Sequence, residues 1–321
     1  MTKIEWTDAT WNPIVGCSVV SPGCTNCYAM RMAGTRLKTT RPYSGLTQDS
    51  KAGPVWTGEV RFLEERLTQP LKWRKPRRVF VNSMGDLFHE DVPEDWIHHI
   101  FAVMALCPQH MFQVLTKRPE RMQRYMARLA QSVVPLQNRA LGMGYTFEWQ
   151  GDGLLRWPIP NVWLGTSVED QTRADERIPA LLDTPAAVRF VSYEPALEMV
   201  DFDHIKFPQD RTIPMSSLYG GRSTDTPWHL NWIVLGGENG PGARPMHPEI
   251  PRSVRDQCAA ADVPFFFKGW GKHKPVARAP GSEIMDIMHP DPDRQWFANV
   301  GKKAAGCLLD GREHKEMPGV G

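Results

Sequence analysis

No run of about 18 apolar residues occurs anywhere in this 321-residue chain, so no segment reads as a membrane-spanning helix. The start, Met1-Thr2-Lys3-Ile4-Glu5-Trp6, has no apolar stretch of the secretory kind, and the expectation is a cytoplasmic protein whose thiols stay reduced. An excess of one charge is missing too: 38 Lys and Arg stand against 36 Asp and Glu, a formal net charge of +2. So even a balance gives no bulk field for nucleic acid, and such binding would need a local patch. The best local patch is Lys72-Trp73-Arg74-Lys75-Pro76-Arg77-Arg78, which reads equally as a helix end whose cations suit the dipole. No internal repeat is visible.

Hydrophobic residues at 41% and charged residues at 23% are enough for an ordinary globular core. Apolar runs recur along the chain at Ile14-Val15, Glu59–Phe62, Arg78–Asn82, Met111–Thr116, Val162–Thr166, Val188–Ser192, Trp232–Gly236 and Phe265–Lys268. Helical patterns lie between them, at Tyr28–Leu37, around Pro70–Trp73, and at Pro93–Cys107, Pro119–Leu129, Arg173–Leu182 and Ile250–Ala261. Alternation of this kind predicts an α/β fold with a parallel sheet, and about eight such runs predict a TIM-like barrel, complete or partial. The expected organisation is one barrel-like domain over 1–268, with polar insertions near 131–160 and 201–230. A C-terminal extension over 269–321 would pack on the barrel.

Polar residues gather where each predicted strand ends: Asn82-Ser83-Met84-Gly85-Asp86, Thr116-Lys117-Arg118, Thr166-Ser167-Val168-Glu169-Asp170, Ser192-Tyr193-Glu194, Gly236-Gly237-Glu238-Asn239 and Lys268. In a barrel these ends share one rim, where barrel active sites lie. Lys117, Glu169, Glu194, Glu238 and Lys268 would converge there. The bland alternative is that strand ends are polar because they meet solvent.

Three of the six cysteines, Cys17, Cys24 and Cys27, fall within eleven residues at C-x6-C-x2-C spacing. Gly16, Pro22 and Gly23 let the backbone fold around a bulky centre. A disulfide would leave an odd thiol and is disfavoured in a reducing compartment. Structural zinc wants four ligands, and neither His nor a further Cys lies nearby, although Cys307 could reach back from the tail. A redox pair at Cys24 and Cys27 leaves Cys17 unexplained. A 4Fe–4S cluster on three thiolates leaves one iron open for a ligand. Cys107 and Cys258 read as core residues.

A short strand, a three-cysteine loop and an aromatic directly after the last cysteine (Cys27-Tyr28) resemble the radical-SAM superfamily. More closely, the chain resembles the three-cysteine-motif proteins of phages and bacteria. The likeness runs through Trp11-Asn12-Pro13, Cys24–Ala29, Asn82–Phe88, Leu115–Pro119, Gly165–Glu169, Ser192–Pro195, Gly236–Met246 and Phe265–Lys268. It implies a barrel, a 4Fe–4S cluster on Cys17, Cys24 and Cys27, and cleavage of S-adenosyl-L-methionine to a 5′-deoxyadenosyl radical. Tyr28 matches the aromatic beside the cluster. The spacing departs from the superfamily's commonest C-x3-C-x2-C. Gly236-Gly237-Glu238 follows a late strand, whereas the superfamily's Gly-Gly-Glu-like segment follows the second.

The site expected on these grounds has Lys117, Glu194 and Glu238 in catalytic roles. Tyr28, Ser83, Thr166, Glu169, Gly236, Gly237 and Lys268 would hold the cofactor. A nucleic-acid or nucleoside substrate and an electron-donor protein are the expected partners. The alternative is a zinc- or cluster-stabilised barrel that binds nucleic acid or a partner protein without SAM chemistry. The run Asp86, His89, Glu90, Asp91 reads either as a metal site or as a solvated loop before a helix. Lys117-Arg118, and more weakly Arg244 and His247, could hold phosphate or carboxylate.

Overall fold

The structure, a computed structural model, describes residues 4–146, 157–207, 215–219, 228–276, 284–287 and 295–319. The chain divides into two units: Met1–Ser21, Ala29–Thr166 and Asp183–Arg189 form the first, and Pro22–Tyr28, Ser167–Leu182 and Phe190–Gly321 the second.

In the first unit the chain forms β1 (Ala9–Trp11), β2 (Ile14–Val15), α1 (Tyr28–Gly34, from Ala29), β3 (Thr47–Ser50), β4 (Gly53–Trp56) and β5 (Arg61–Phe62). It continues with α2 (Glu64–Leu67), β6 (Arg78–Val81), α3 (Glu94–Ala105), β7 (Met111–Thr116), α4 (Pro119–Gln131), α5 (Val134–Gly142) and β8 (Val162–Val168, as far as Thr166). Strands β1, β6, β7 and β8 are parallel neighbours in that order, with Thr10 beside Phe80, Phe80 beside Gln113 and Gln113 beside Trp163. Their near-continuous apolar sequences suit strands covered on both faces. Helix α3 follows Pro93, which is extended at the N-cap and not in the first turn; it carries Glu94 and Asp95 in that turn and buries Ile97, Ile100, Phe101 and Met104 along one side.

Two expectations change here. Ile14-Val15 is a strand but pairs antiparallel with Arg61–Phe62 in a two-stranded ribbon, so neither belongs to the parallel set. The first parallel strand is Ala9–Trp11, with Trp11 beside Val81. Pro13, lacking an N–H, interrupts the chain between β1 and β2, and its carbonyl accepts the Leu63 N–H instead (2.7 Å). The segment from 131 onward is also less irregular than expected: α5 has Pro135 in its first turn and buries Leu136 and Ala140, four residues apart on one face. Residues 147–156 of that expected insertion lie outside the described residues, as do 208–214 and 220–227 of the second.

The second unit contains α6 (Gln171–Leu182), β9 (Val188–Tyr193, from Phe190), β10 (Trp232–Gly236), α7 (Glu249–Ala261) and β11 (Phe265–Gly269). Then come β12 (His273–Val276), β13 (Ile284–Ile287), β14 (Gln295–Asn299) and α8 (Lys302–Ala305). Strand β10 lies between β9 and β11, all parallel, with Ile233 beside Val191 and Phe265. Strand β14 lies between β12 and β13 in a small antiparallel sheet. The other edge of β11 is covered by the tail. Phe267 N–H donates to the His314 carbonyl (2.9 Å), Phe266 bridges antiparallel to Lys315, and Trp270 N–H donates to the Gly306 carbonyl (3.2 Å). Residues 277–283, 288–294 and 320–321 of the expected extension lie outside the described residues.

Both units are therefore α/β, with helices between most of the parallel strands; among the described residues none lies between β9 and β10. Among the described residues no helix is long and apolar enough to cross a membrane. Gln113, at the centre of β7, is fully buried, and neither amide atom has a hydrogen-bond partner among the described residues. Gln113→Leu removes two unsatisfied groups and is expected to raise stability by about 1–2 kcal/mol. Urea denaturation checks this, and a loss of stability would show that the amide is satisfied in solution.

Candidate functional site

In the first unit two glycines bring the chain before Cys17 against the end of β6. Gly16 has φ +94°, and a Cβ there would lie 2.1 Å from the Glu59 carbonyl oxygen. A Cβ on Gly85 would lie 2.9 Å from the Gly16 oxygen, and the two residues bridge as parallel neighbours. Only the absence of side chains permits this approach. Asn12 and Asn82 support it: Asn12 Oδ1 accepts from Ser83 Oγ and from Met84 N–H (both 3.1 Å), and Asn82 Oδ1 accepts the Ile14 N–H (3.1 Å).

Beside this crossing lies Arg118, 6% exposed. Its Nε donates to Glu90 Oε1 (2.8 Å), Nη1 to Asp86 Oδ2 (3.0 Å) and Nη2 to Ser18 Oγ (2.6 Å). Nη1 also lies 3.9 Å from Cys17 Sγ. Asp86 is held in turn by Thr116 Oγ1 (2.7 Å) and by the N–H groups of Phe88 (2.9 Å) and Lys117 (3.1 Å). Burial opposes the charge on Arg118, but the carboxylates of Asp86 and Glu90 outweigh it and raise its pKa. His89 Nδ1 accepts the Asp91 N–H (3.2 Å), which leaves the ring proton on Nε2, 2.9 Å from Ser18 Oγ. Burial, then the Arg118 charge, holds the His89 pKa below its usual value, so the ring is neutral at pH 7. The acidic run read as a metal site or a loop thus serves as the clamp on Arg118.

In the second unit the segment Pro22–Tyr28 carries Cys24 and Cys27 on a tight turn, in which Cys27 N–H donates to the Cys24 carbonyl (3.2 Å). Two buried carboxylates reach this turn. Glu169, wholly buried, accepts Gly23 N–H at Oε1 (3.4 Å) and Arg177 Nη1 at Oε2 (3.1 Å). A Cβ on Gly23 would sit 3.1 Å from Glu169 Cδ. Glu238, 7% exposed, accepts Asn26 Nδ2 (2.9 Å), Arg244 N–H (2.7 Å) and the Arg244 guanidinium (2.6 Å at Oε1). Arg244 Nη2 also donates to the Pro22 carbonyl (3.0 Å). Burial pushes the Glu238 carboxyl up, but the hydrogen bonds from Arg244 and Asn26 overcome it, and its pKa falls below the usual range.

The same unit pairs Lys268 Nζ with Glu194 Oε2 (2.9 Å) at the ends of β11 and β9. Glu194 Oε1 is buried with no hydrogen-bond partner among the described residues. The glycines between them serve the chain's own packing. A Cβ on Gly236 would meet Glu194 Oε1 at 2.7 Å, and one on Gly237 would meet the Trp270 oxygen at 2.2 Å. Tyr28 is 43% exposed. In the first unit Thr166 Oγ1 donates to the Thr116 carbonyl (2.9 Å), and Lys117 is half-buried beside Asp86.

Cys107 and Cys258 are free and buried. Burial pushes the Cys107 thiol up to about 12 and raises that of Cys258 as well, so both are inert core thiols at neutral pH. Cys307 donates to Glu313 Oε1 (3.3 Å). Among the described residues no group of three or more His, Cys, Asp or Glu is arranged to hold a metal ion. In the basic segment Arg78 is paired with Asp8 (2.9 Å) and Arg77 lies over the Trp73 ring (5.0 Å), while Lys72, Arg74 and Lys75 are exposed.

Sequence reasoning passed over Ser18, Asn26 and Arg177, whose only signal was proximity to the cysteines or to Glu169. Arg118 was legible as a strand-end cation, but not as a neighbour of Cys17. No curated protein and no solved structure matches the chain. One family model covers residues 1–318, and its description names neither an activity nor a cofactor. The chain belongs to that family, described as Protein of unknown function (DUF5131).

Proposed function

We propose that this protein is an iron–sulfur enzyme of the radical-SAM type, with a 4Fe–4S centre held by Cys17, Cys24 and Cys27. The carrying observation is the set of three cysteines within eleven residues. Charged side chains anchor both stretches that bear them: Arg118 for Cys17-Ser18, Glu169 and Glu238 for Pro22–Tyr28. The donor set fits the group. Thiolates bind such a centre one per iron, so three leave one iron open, and the ligands stand wider apart than around a single ion. A TIM-like barrel, complete or partial, goes with this reading, and the parallel strands with helices between most of them support it.

Bound there, the centre would supply the electron that cleaves S-adenosyl-L-methionine, whose 5′-deoxyadenosyl radical would take a hydrogen atom from a nucleic acid or nucleoside. The protein's own residues position and bind. Glu194 Oε1 offers a desolvated acceptor to an amine or hydroxyl, and the neighbouring Lys268 ammonium suits a carboxylate or phosphate. Glu238 and Glu169 keep the Cys24–Cys27 turn in place. Lys117 and Ser83, after strand ends of the first unit, and Tyr28, in the second, would bind cofactor or substrate, and Thr166 would support the first pair from the interior. An electron-donor protein completes the set of partners.

Anaerobic reconstitution is expected to give about four irons and four sulfides per chain and a broad absorption near ~400 nm. Adding S-adenosyl-L-methionine and dithionite should yield 5′-deoxyadenosine, and Cys17→Ala, Cys24→Ala and Cys27→Ala should each abolish both signals. A colourless protein, or a cluster that yields no 5′-deoxyadenosine, sinks the reading. Stoichiometric zinc in place of iron would favour a zinc-stabilised protein that binds nucleic acid or a partner. The exposed Lys72, Arg74 and Lys75 would then meet phosphates.

A further inference from the structure

The environment of Cys17 carries more than the placing of a ligand. The Arg118 guanidinium is held on three sides, by Glu90 at Nε (2.8 Å), Asp86 at Nη1 (3.0 Å) and Ser18 at Nη2 (2.6 Å). Its position is therefore set before anything binds. Asp86 is fixed by Thr116 Oγ1, and Thr116 Oγ1 also accepts the Arg118 N–H (2.9 Å). The result is a rigid, buried cation with an Nη1–H group 3.9 Å from Cys17 Sγ. A solvated Lys at the surface would be a moving charge screened by water. A guanidinium at 6% exposure between two carboxylates is neither mobile nor well screened.

From this geometry we propose that Arg118 is a positioning residue for the iron–sulfur centre: it donates to the Cys17 thiolate and raises the centre's reduction potential. The inference rests on the cluster reading above. Reduction adds one negative charge to the centre and its thiolates. A fixed donor and positive charge beside one sulfur stabilise that reduced state more than the oxidised one. Glu90 acts in the opposite sense, because its carboxylate opposes the added electron. It is much the more solvated partner, with its side chain 62% exposed.

The test is potentiometric, on the reconstituted full chain, read by visible absorbance and by the electron paramagnetic resonance of the reduced centre. Arg118→Met is expected to move the midpoint to more negative values with iron content unchanged. Arg118→Lys keeps a charge but not the fork that reaches Glu90, Asp86 and Ser18 together, and should move it the same way by less. Glu90→Gln, at an exposed position, should move it to more positive values. If Arg118→Met does not fold, Arg118→Lys and Glu90→Gln decide the matter. A merely structural role for Arg118 would lower iron content or stability and leave the potential where it was. Unchanged midpoints across the variants, or a positive shift on losing the arginine, overturn the proposal and leave the cluster standing. A wild-type protein that assembles no cluster overturns both.

Discussion

Glu169→Ala is expected to cost about 3–5 kcal/mol of stability, a large part of what a domain of ordinary size has. Glu169 is wholly buried and Arg177 is 5% exposed. Their contact is 3.1 Å, and the same Nη1 donates to the Ser167 carbonyl (2.8 Å). Truncating the acid leaves a guanidinium out of water with a carbonyl as its remaining named partner, and that uncompensated charge sets the size of the loss. The variant also frees Gly23, so the Cys24–Cys27 turn loses one of its two carboxylate anchors. Glu169→Gln keeps the shape and an acceptor for Gly23 and should lose less. Guanidinium denaturation of the three proteins, together with iron uptake, separates the effects. A Glu169→Ala protein within 1 kcal/mol of wild type, taken as about one hydrogen bond's worth, would mean that water reaches Arg177.

Deleting residues 306–321 is expected to unfold the second unit or leave it insoluble. The tail hydrogen-bonds to groups in the interior of the second unit. Trp270 Nε1 donates to the Leu308 carbonyl (3.0 Å), Trp232 Nε1 to the Glu316 carbonyl (2.9 Å) and Lys315 Nζ to the Phe267 carbonyl (2.9 Å). Leu309 is fully buried, and Asp310 is clasped by Arg252 (2.8 Å) and Arg255 (2.7 Å) of α7. Several hydrogen bonds at about 1 kcal/mol each and one leucine at about 2 kcal/mol sum to roughly 5 kcal/mol. The deletion also bares the edge of β11, whose Phe265-Phe266-Phe267 run is the kind that pairs with other chains. Size-exclusion chromatography and a thermal melt of the truncated chain check this. A monomer with an unchanged melting temperature would contradict it.

The parts that local patterns reveal were readable in advance. The strands Arg78–Val81, Met111–Thr116 and Trp232–Gly236 and the helix after Pro93 follow from short-range periodicity and from the acidic residues of a first turn. The thiol trio and the polar strand ends are likewise local features. Partners are another matter. Ile14-Val15 looks like any short strand, and nothing in those two residues says that they join Arg61–Phe62 antiparallel while Ala9–Trp11 takes the parallel place beside β6. Pairing is set by residues some fifty to seventy positions away, and a run's own composition does not encode it.

The amino-acid order alone established an α/β protein with three clustered cysteines and charged strand ends, because apolar periodicity and residue spacing are properties of neighbouring positions. Which charge answers which came only with the folded chain. Glu169 and Glu238 turn onto the Cys24–Cys27 segment, Arg118 turns onto Cys17, and the Gly236-Gly237 pair makes room for Glu194 and for the backbone of Trp270. A buried ion must find its partner wherever packing brings one, and that distance in sequence carries no periodic signal.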